Sequence, residues 1–240
     1  VRAIVAAVCD AVEIPVIAKL TPNVDDIALI GKAALAGGAA GLCAINTTGP
    51  GYTESHGHSI LSNGLGGMSG KGILPVTLKA LAALRAVTDA PLIGCGGLSS
   101  AADCRAIAHC GATIFGIGSG LTGLDTQALG QYFADLGHDM NHQTDRAAEQ
   151  VRFDLDMSFR PYQVTDNKPV CDDISVVTLD GSLDIRAGEY VFVWIPGVGE
   201  KPFSCLTANP VRLAVINVGP FTDACYQVSP GATVYLRGPH

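Results

Sequence analysis

The chain has 240 residues, 48% of them hydrophobic, and 29 glycines, enough apolar material for a packed core in one large domain or two ordinary ones and unlike a disordered segment. A net charge of -7, a pI near 5.2 and no run of Lys or Arg argue against a nucleic-acid surface or an anionic membrane partner and for a small or neutral one. The longest nearly polar-free run, 33–45, is shorter than the roughly 20 residues a membrane helix needs.

The N-terminus does not read as a signal peptide, because Asp10 and Glu13 interrupt its apolar residues, so the cytoplasm is the expected compartment. Its first residue is Val, and VRAIVAAVCDAV opens inside a helical pattern, so a longer polypeptide is expected around this chain. The eight cysteines (9, 43, 95, 104, 110, 171, 205 and 225) form no C-x-x-C pair and read as reduced core thiols, not as a metal site or disulfide framework.

Residues 1–136 repeat one unit: a β-branched strand, a turn marked by Gly or Pro, and a helix with apolar residues at helical spacing. Strands are expected at Val16–Leu20, Leu42–Asn46, Leu92–Cys95 and Thr113–Ile117. After the first, Asn23 is placed to cap a helix that carries Asp25 and Asp26 in its first turn and ends at Gly37. After the third, Ser100 and Asp103 form a capping-box pattern, and Gly111 closes that helix. Strands alternating with helices imply a parallel sheet covered on both faces. A complete eight-stranded α/β (TIM) barrel takes about 250 residues, so these four units amount to its second half, with two strand edges left open.

From residue 137 to 157 the sequence turns polar and reads as a linker. Beyond it, residues 158–240 carry short alternating strands (Phe159–Val164, Ile174–Leu179, Tyr190–Ile195, Ser204–Leu206, Arg212–Val218 and Thr233–Leu236) punctuated by Pro, Gly, Asn and Asp, the pattern of a small antiparallel β-barrel.

Within the first part, Gly96 with Gly97 and Gly118 with Ser119 end two successive strands, where backbone N–H groups and a helix N-terminus can converge on a phosphate; short glycine turns are also simply how α/β loops are made. Lys19 ends the run PVIAKL and needs an anionic partner if buried, for which an electron-rich ring would serve, though it is equally placed as a surface lysine. Asn46 and Thr47 offer amide and hydroxyl groups to a ring's C=O and N–H edges, or are ordinary turn residues. The segment 49–64 is long enough for a binding loop, and its His56 and His58 are read as solvated. In the second part, KPFS sets a cation and a hydroxyl at the start of a strand, an arrangement open to a phosphate or to a plain turn.

Taken together, KLTPN, INTT, GGMSGKG, GCGGLSS and GIGSG, in this order and spacing, resemble dihydroorotate dehydrogenase of the NAD-dependent class B type, over nearly all of residues 1–136. AGEYVFV, KPFS and RGP make residues 158–240 similar to that enzyme's electron-transfer subunit, a ferredoxin-reductase-type FAD-binding β-barrel, so the chain resembles a fusion of the two with the old junction near Met157. The resemblance implies FMN contacts at Lys19, Ile45, Gly70, Gly96, Gly97, Gly118 and Ser119. It implies pyrimidine contacts at Asn46 and Thr47, and FAD contacts at Lys201, Pro202, Phe203, Ser204, Ala214, Val215, Ile216 and Thr222.

It also implies oxidation of dihydroorotate to orotate in pyrimidine synthesis by a homo-oligomer. Its catalytic-base cysteine is expected before Val1, and its iron–sulfur cysteines and NAD domain after residue 240, so the chain alone is expected to be inactive and to retain no flavin. Two departures weaken the FAD assignment: Lys201 stands where the family has Arg, losing the planar fork for phosphate, and Phe221 stands where close backbone approach favours Gly. The alternatives are a dihydropyrimidine dehydrogenase-like flavoenzyme acting on uracil or thymine, and a non-catalytic module for phosphate ligands.

Overall fold

In a computed structural model that describes residues 1–151 and 156–240, the chain divides into two compact units, Val1–Pro50 with Gly67–Phe153, and Gly51–Gly66 with Asp154–His240. The first unit runs α1 (Arg2–Ala11), β1 (Ile17–Leu20), α2 (Ile27–Leu35) and β2 (Gly41–Ala44). Next, β3 (Thr48–Tyr52) pairs with β6 (Leu65–Met68); the segment between them, with a small pair β4 (Glu54–Ser55) and β5 (His58–Ser59), belongs to the second unit. Then follow α3 (Leu74–Arg85), β7 (Leu92–Cys95), α4 (Ala101–His109), β8 (Ile114–Gly116) and α5 (Thr126–His142).

Strands β1, β2, β7 and β8 form a four-stranded parallel sheet in that order, each joined to the next by a connection containing a helix, as the strand–helix repeat predicts. Residues alternate across it. Leu20, Leu42, Ala44 and Leu92 face the helices in a core with Leu81, Leu84 and Ile107, while Lys19, Cys43 and Cys95 lie on the opposite face. Gly31 lets α2 settle on this core, since a Cβ there would lie 2.5 Å from a Leu84 methyl. Both outer edges carry exposed apolar residues, Ile14 (73% exposed) and Ile17 on the β1 side and Ile114 on the β8 side, and α1 buries none of its side chains.

Three details differ from the sequence expectation. Asp26, not Asn23, caps α2, accepting from the Ala28 and Leu29 amides at 2.9 and 3.1 Å; Asn23 instead ties down the segment after β2, donating to the Thr47 carbonyl at 3.3 Å and accepting from the Gly49 amide at 3.1 Å. Segment 49–64 is in part paired strand, through Tyr52 and at Glu54–Ser55 and His58–Ser59, with turns and bends between and after these pieces. The expected linker begins as the last turns of α5, followed by a 3₁₀ turn at Arg146–Gln150. Its polar residues hold it to the first unit: buried Asp139 accepts from Thr144 and from the Ala147 amide (2.8 Å), and Asp145 accepts from the Ala101 amide at 3.1 Å. At Asp139 polarity thus marks a buried hydrogen-bonded carboxylate, while 141–146 are exposed; residues 152–155 of that expected linker lie outside the described residues.

The second unit contains β9 (Arg160–Cys171), β10 (Ile174–Leu179), β11 (Val191–Ile195), β12 (Gly199–Phe203), β13 (Cys205–Ala208), β14 (Val211–Ile216), α6 (Pro220–Tyr226) and β15 (Thr233–Arg237). They make a seven-stranded antiparallel sheet in the order β12-β11-β15-β9-β10-β14-β13. Its two edge strands are consecutive in the chain with Ser204 alone between them. A flat sheet of this size would hold its edges about 29 Å apart, whereas two residues span at most ~7 Å, so the sheet curls on itself. Inside the curl, Val164, Val177, Leu179, Val191, Val193, Leu213 and Val215 form the core at period-two spacing, with Phe221 and Cys225 of α6 packed on it. Sequence reading missed β12, α6 and the second half of β9, and placed Cys225 in the barrel wall; it sits on α6, buried.

Leu84, fully buried, and Leu29, 63% exposed, give a matched test of this core. Leu84→Ala should cost about 2–5 kcal/mol and Leu29→Ala under ~0.5 kcal/mol, read as midpoint shifts in urea unfolding.

Candidate functional site

The C-terminal ends of β1, β2, β7 and β8 border one cavity of about 300 Å³ in the first unit. Lys19, Ile45, Asn46, Thr47, Gly70, Gly96, Gly97, Gly118 and Ser119 all line it, so every residue expected at the FMN or pyrimidine ring meets in one place. Cys95, Ser69 and Gly116 line it as well. Backbone conformation dictates glycine at three of these positions. Gly70, Gly96 and Gly97 have φ of 95°, 112° and 82°, and a Cβ on Gly97 would stand 2.6 Å from the Leu74 amide nitrogen. The backbone is thus bare where a ligand would approach.

Beside this turn, Ser100 caps α4 by accepting from the Asp103 amide at 3.2 Å. Asp103 in turn accepts from the Ser99 amide at 2.9 Å and pairs with Lys71. Burial alone would raise the Asp103 carboxyl, but the Lys71 hydrogen bond and the Ser99 amide outweigh it and hold it below the usual carboxylate range. On the other side, the Asn46 side-chain oxygen accepts from the Thr47 amide at 2.8 Å, which leaves the Asn46 amide nitrogen as a donor toward the cavity.

Lys19 is exposed, not buried as its apolar run suggests, and its partner is a thiol of the same chain. Its Nζ lies 3.3 Å from Cys95 Sγ, and Cys43 Sγ lies 3.5 Å from the same sulfur. With the Cys43 thiol donating to it and the Lys19 ammonium alongside, against the penalty of partial burial, Cys95 is lowered to about 6. Cys43 moves the other way, raised first by donating its proton to Cys95 and then by burial. For Lys19, burial would lower the pKa, but the hydrogen bond and charge of Cys95 prevail and raise it. The floor of the cavity therefore sets an ammonium against a thiol whose pKa is lowered, and that sulfur also lies 3.2 Å from the Ile45 carbonyl oxygen.

In the second unit, Lys201, Pro202, Phe203, Ala214, Ile216 and Thr222 border a cavity of about 600 Å³ together with Val218. Ser204 lies beside Pro202 and Phe203 in the neighbouring depression. Val215 is a correction: on β14 it alternates with Ala214 and Ile216 and points into the core, 1% exposed, so its side chain is withheld from this cavity. Phe221 is also turned largely into the core, 7% exposed, yet it still lines this cavity beside Gly219 and Thr222. The Thr222 hydroxyl is spent on its own turn, accepting from the Val218 and Gly219 amides and donating to the Gly219 carbonyl, each at 3.0 Å.

A family model described as dihydroorotate dehydrogenase matches residues 1–140, more than half of the chain. The chain belongs to the dihydroorotate dehydrogenase family. It is 44% identical over 120 residues to the catalytic subunit of dihydroorotate dehydrogenase B (NAD(+)) of Methanosarcina acetivorans, covering 50% of this chain and 39% of that one. To the same subunit of Streptococcus pneumoniae serotype 4 it is 43% identical over 117 residues (48% and 38%). To dihydroorotate dehydrogenase A (fumarate) of Lactiplantibacillus plantarum it is 43% identical over 127 residues (52% and 42%). The chain thus spans about two fifths of the length of these relatives, and both classes of dihydroorotate dehydrogenase match it about equally. Among solved structures, the cytochrome b5 reductase domain of Ulva prolifera nitrate reductase aligns at a TM-score of 0.31 and 14% identity over 36% of this chain and 43% of that one.

Cys43 and Cys95 are the site residues that sequence reading passed over. Each looks like a core cysteine in an apolar strand, and only the parallel pairing of β1, β2 and β7 brings them to Lys19. The groups facing Cys95 are Lys19 from β1 and Cys43 from β2, while β8 presents Gly116, which does not titrate. Iodoacetamide labelling of Cys95, followed by peptide mapping, should therefore fall to half its plateau rate near pH 6, and Lys19→Met should move that midpoint upward. A midpoint unmoved by Lys19→Met would remove the ion pair as its cause.

Proposed function

We propose that the first unit is the FMN- and pyrimidine-binding part of a dihydroorotate-oxidising enzyme of pyrimidine synthesis. One observation carries this reading: nine residues assigned from family resemblance border a single cavity at the C-terminal ends of parallel strands, the end of an α/β barrel where active sites are built. The open edges at β1 and β8, with Ile17 and Ile114 exposed, are where further strands of the barrel would pair.

The donor set fits FMN. Gly96, Gly97, Gly118 and Ser119 would hold the phosphate through backbone amides, and a Cβ at either of the first two would collide with Thr77 or Leu74. Lys19 would place its charge against the ring edge, and Ile45, 2% exposed, would support the ring. When bound, FMN supplies the acceptor for the hydride that leaves dihydroorotate. Asn46, through its amide nitrogen, and Thr47 would orient the pyrimidine carbonyl and N–H edges, fixing the ring for transfer. The proton-abstracting cysteine is assigned outside residues 1–240.

In the second unit the cavity floored by Ala214 and Ile216 and edged by Lys201 would accept FAD, with Lys201 at the phosphate and Phe203 against the ring. This extends the reading to the class B route, in which electrons continue through an iron–sulfur cluster and FAD to NAD in a cytoplasmic homo-oligomer with neither nucleic acid nor membrane as partner. Among the described residues no helix is long and apolar enough to cross a membrane.

The decisive assay uses the complete enzyme that contains this chain. It should convert dihydroorotate to orotate and bind orotate in preference to uracil; preference for uracil would transfer the protein to the dihydropyrimidine dehydrogenase-like group. Gly97→Val should abolish the flavin absorbance of the purified enzyme. Asn46→Ala should keep the flavin and lower kcat/KM for dihydroorotate by roughly tenfold, the loss of about 1–3 kcal/mol expected when a ring-edge group is left without its hydrogen-bond partner. For the second unit, Ala214→Trp should release FAD and leave FMN in place.

A further inference from the structure

The cavity of the first unit holds a feature that flavin binding leaves unexplained: two sulfurs in contact on one face of the sheet, with an ammonium beside one of them. Cys43 Sγ and Cys95 Sγ are 3.5 Å apart, Lys19 Nζ is 3.3 Å from Cys95, and Cys95 lines the cavity and is reachable from it. We infer that Cys43 and Cys95 form a peroxide-sensitive dithiol in which Cys95 is the attacking thiolate and Cys43 the resolving thiol. The inference needs no bound flavin.

The step balances with a hydroperoxide as oxidant. The Cys95 thiolate sulfur attacks one peroxide oxygen, the O–O bond breaks, and Cys95 is oxidised by two electrons to the sulfenic acid as hydrogen peroxide is reduced to water with uptake of one proton. The Cys43 sulfur then displaces the hydroxyl from Cys95, the S–O bond breaks, the S–S bond forms, and the Cys43 proton leaves with the hydroxyl as a second water. Geometry supports the division of roles. The Cys95 sulfur lies 3.3 Å from the Lys19 ammonium, 3.5 Å from Cys43 Sγ and 3.2 Å from the Ile45 carbonyl oxygen, and it is Cys95, not Cys43, that has the cation beside it and lines the cavity, the surroundings that select a reactive cysteine. Cys43 is held protonated by its contact with Cys95 and by burial; once Cys95 is a neutral sulfenic acid its charge no longer raises Cys43, and the nearby Lys19 charge works against burial to free the Cys43 proton. Elsewhere in the chain burial pushes Cys104 to about 11 and Cys225 to about 12, which keeps them inert.

Cys43 pairs in register with Ile93, so Cys95 lies one side-chain step further along the neighbouring strand. A disulfide across that diagonal demands backbone adjustment and is correspondingly easy to reduce. It would also withdraw the thiolate from Lys19, changing the charge of the cavity that any ligand meets.

The test treats the 240-residue chain at pH 7 with hydrogen peroxide below one equivalent and maps thiols by mass spectrometry after alkylation. A Cys43–Cys95 linked peptide should form at least roughly tenfold faster than oxidation of exposed Cys171 and should disappear under mild dithiothreitol. In Cys43→Ser the linked peptide should be lost and dimedone should trap Cys95 sulfenic acid. Lys19→Met should slow the reaction about tenfold or more. Oxidation of Cys95 no faster than Cys171, or straight to sulfinic acid with Cys43 still alkylated, overturns the inference. The wild-type peptide map decides this even if a variant misfolds, and because the readout is sulfur chemistry its failure is distinct from a failure to bind flavin.

Discussion

The first unit depends on parallel strands held in step to their very ends. Beyond the last paired residue of β2 the ladder continues: the Ile45 amide donates to the Cys95 carbonyl at 2.7 Å, and the Asn46 amide donates to the Leu20 carbonyl at 2.9 Å. These two bonds keep three strands from fraying at different heights. Lys19, Asn46 and Gly96 therefore reach one edge together, and the following turns at Gly97 and Gly118 open on the same side. Slippage of a single strand by one residue would turn Lys19 or Cys95 onto the helix face, because side chains alternate with period two.

Charge within the cavity is organised by the same register. A lone ammonium on this face would attract any anion; set against Cys95, it is already partly neutralised. A ligand edge that draws on Lys19 also loosens its hold on the thiolate, and oxidation of the thiolate frees Lys19. Ligand binding and thiol state are thus linked through one side chain, each altering the other by the same free energy. The glycine turns sit apart from this exchange, since their amides carry fixed partial charge and do not titrate.

In the second unit the controlling feature is the single residue Ser204 between the two edge strands. It forces the antiparallel sheet to curl and so divides the strand residues cleanly: Val215 and Leu213 go inward, while Ala214 and Ile216 go to the outer cavity. The same curl draws Phe221 into the core against Phe203, with ring centroids 6.2 Å apart. The bulky residue at a position suited to glycine is largely accommodated in this way while still bordering the cavity, and Lys201 remains a point charge where a planar fork would grip phosphate more firmly.

Much of this was legible in one dimension. Four strand–helix repeats, the Ser100–Asp103 cap and the glycine pairs are local patterns, set by side-chain periodicity and backbone sterics within a few residues, and they carried the family assignment over the first unit. Helix caps a few residues apart were not separable, since Asn23 and Asp26 are both good caps and Asn23 is engaged instead with Thr47 and Gly49, a non-local pairing. Polar residues at 137–150 read as linker because sequence cannot tell a solvated carboxylate from Asp139, buried and hydrogen-bonded. By itself, then, the sequence determined which residue types stand at the strand ends and that four parallel units were present. Tertiary structure alone decided that Lys19, Cys43 and Cys95, far apart in the chain, meet on one face of the sheet, because strand register is a non-local hydrogen-bonding choice that no stretch of sequence contains.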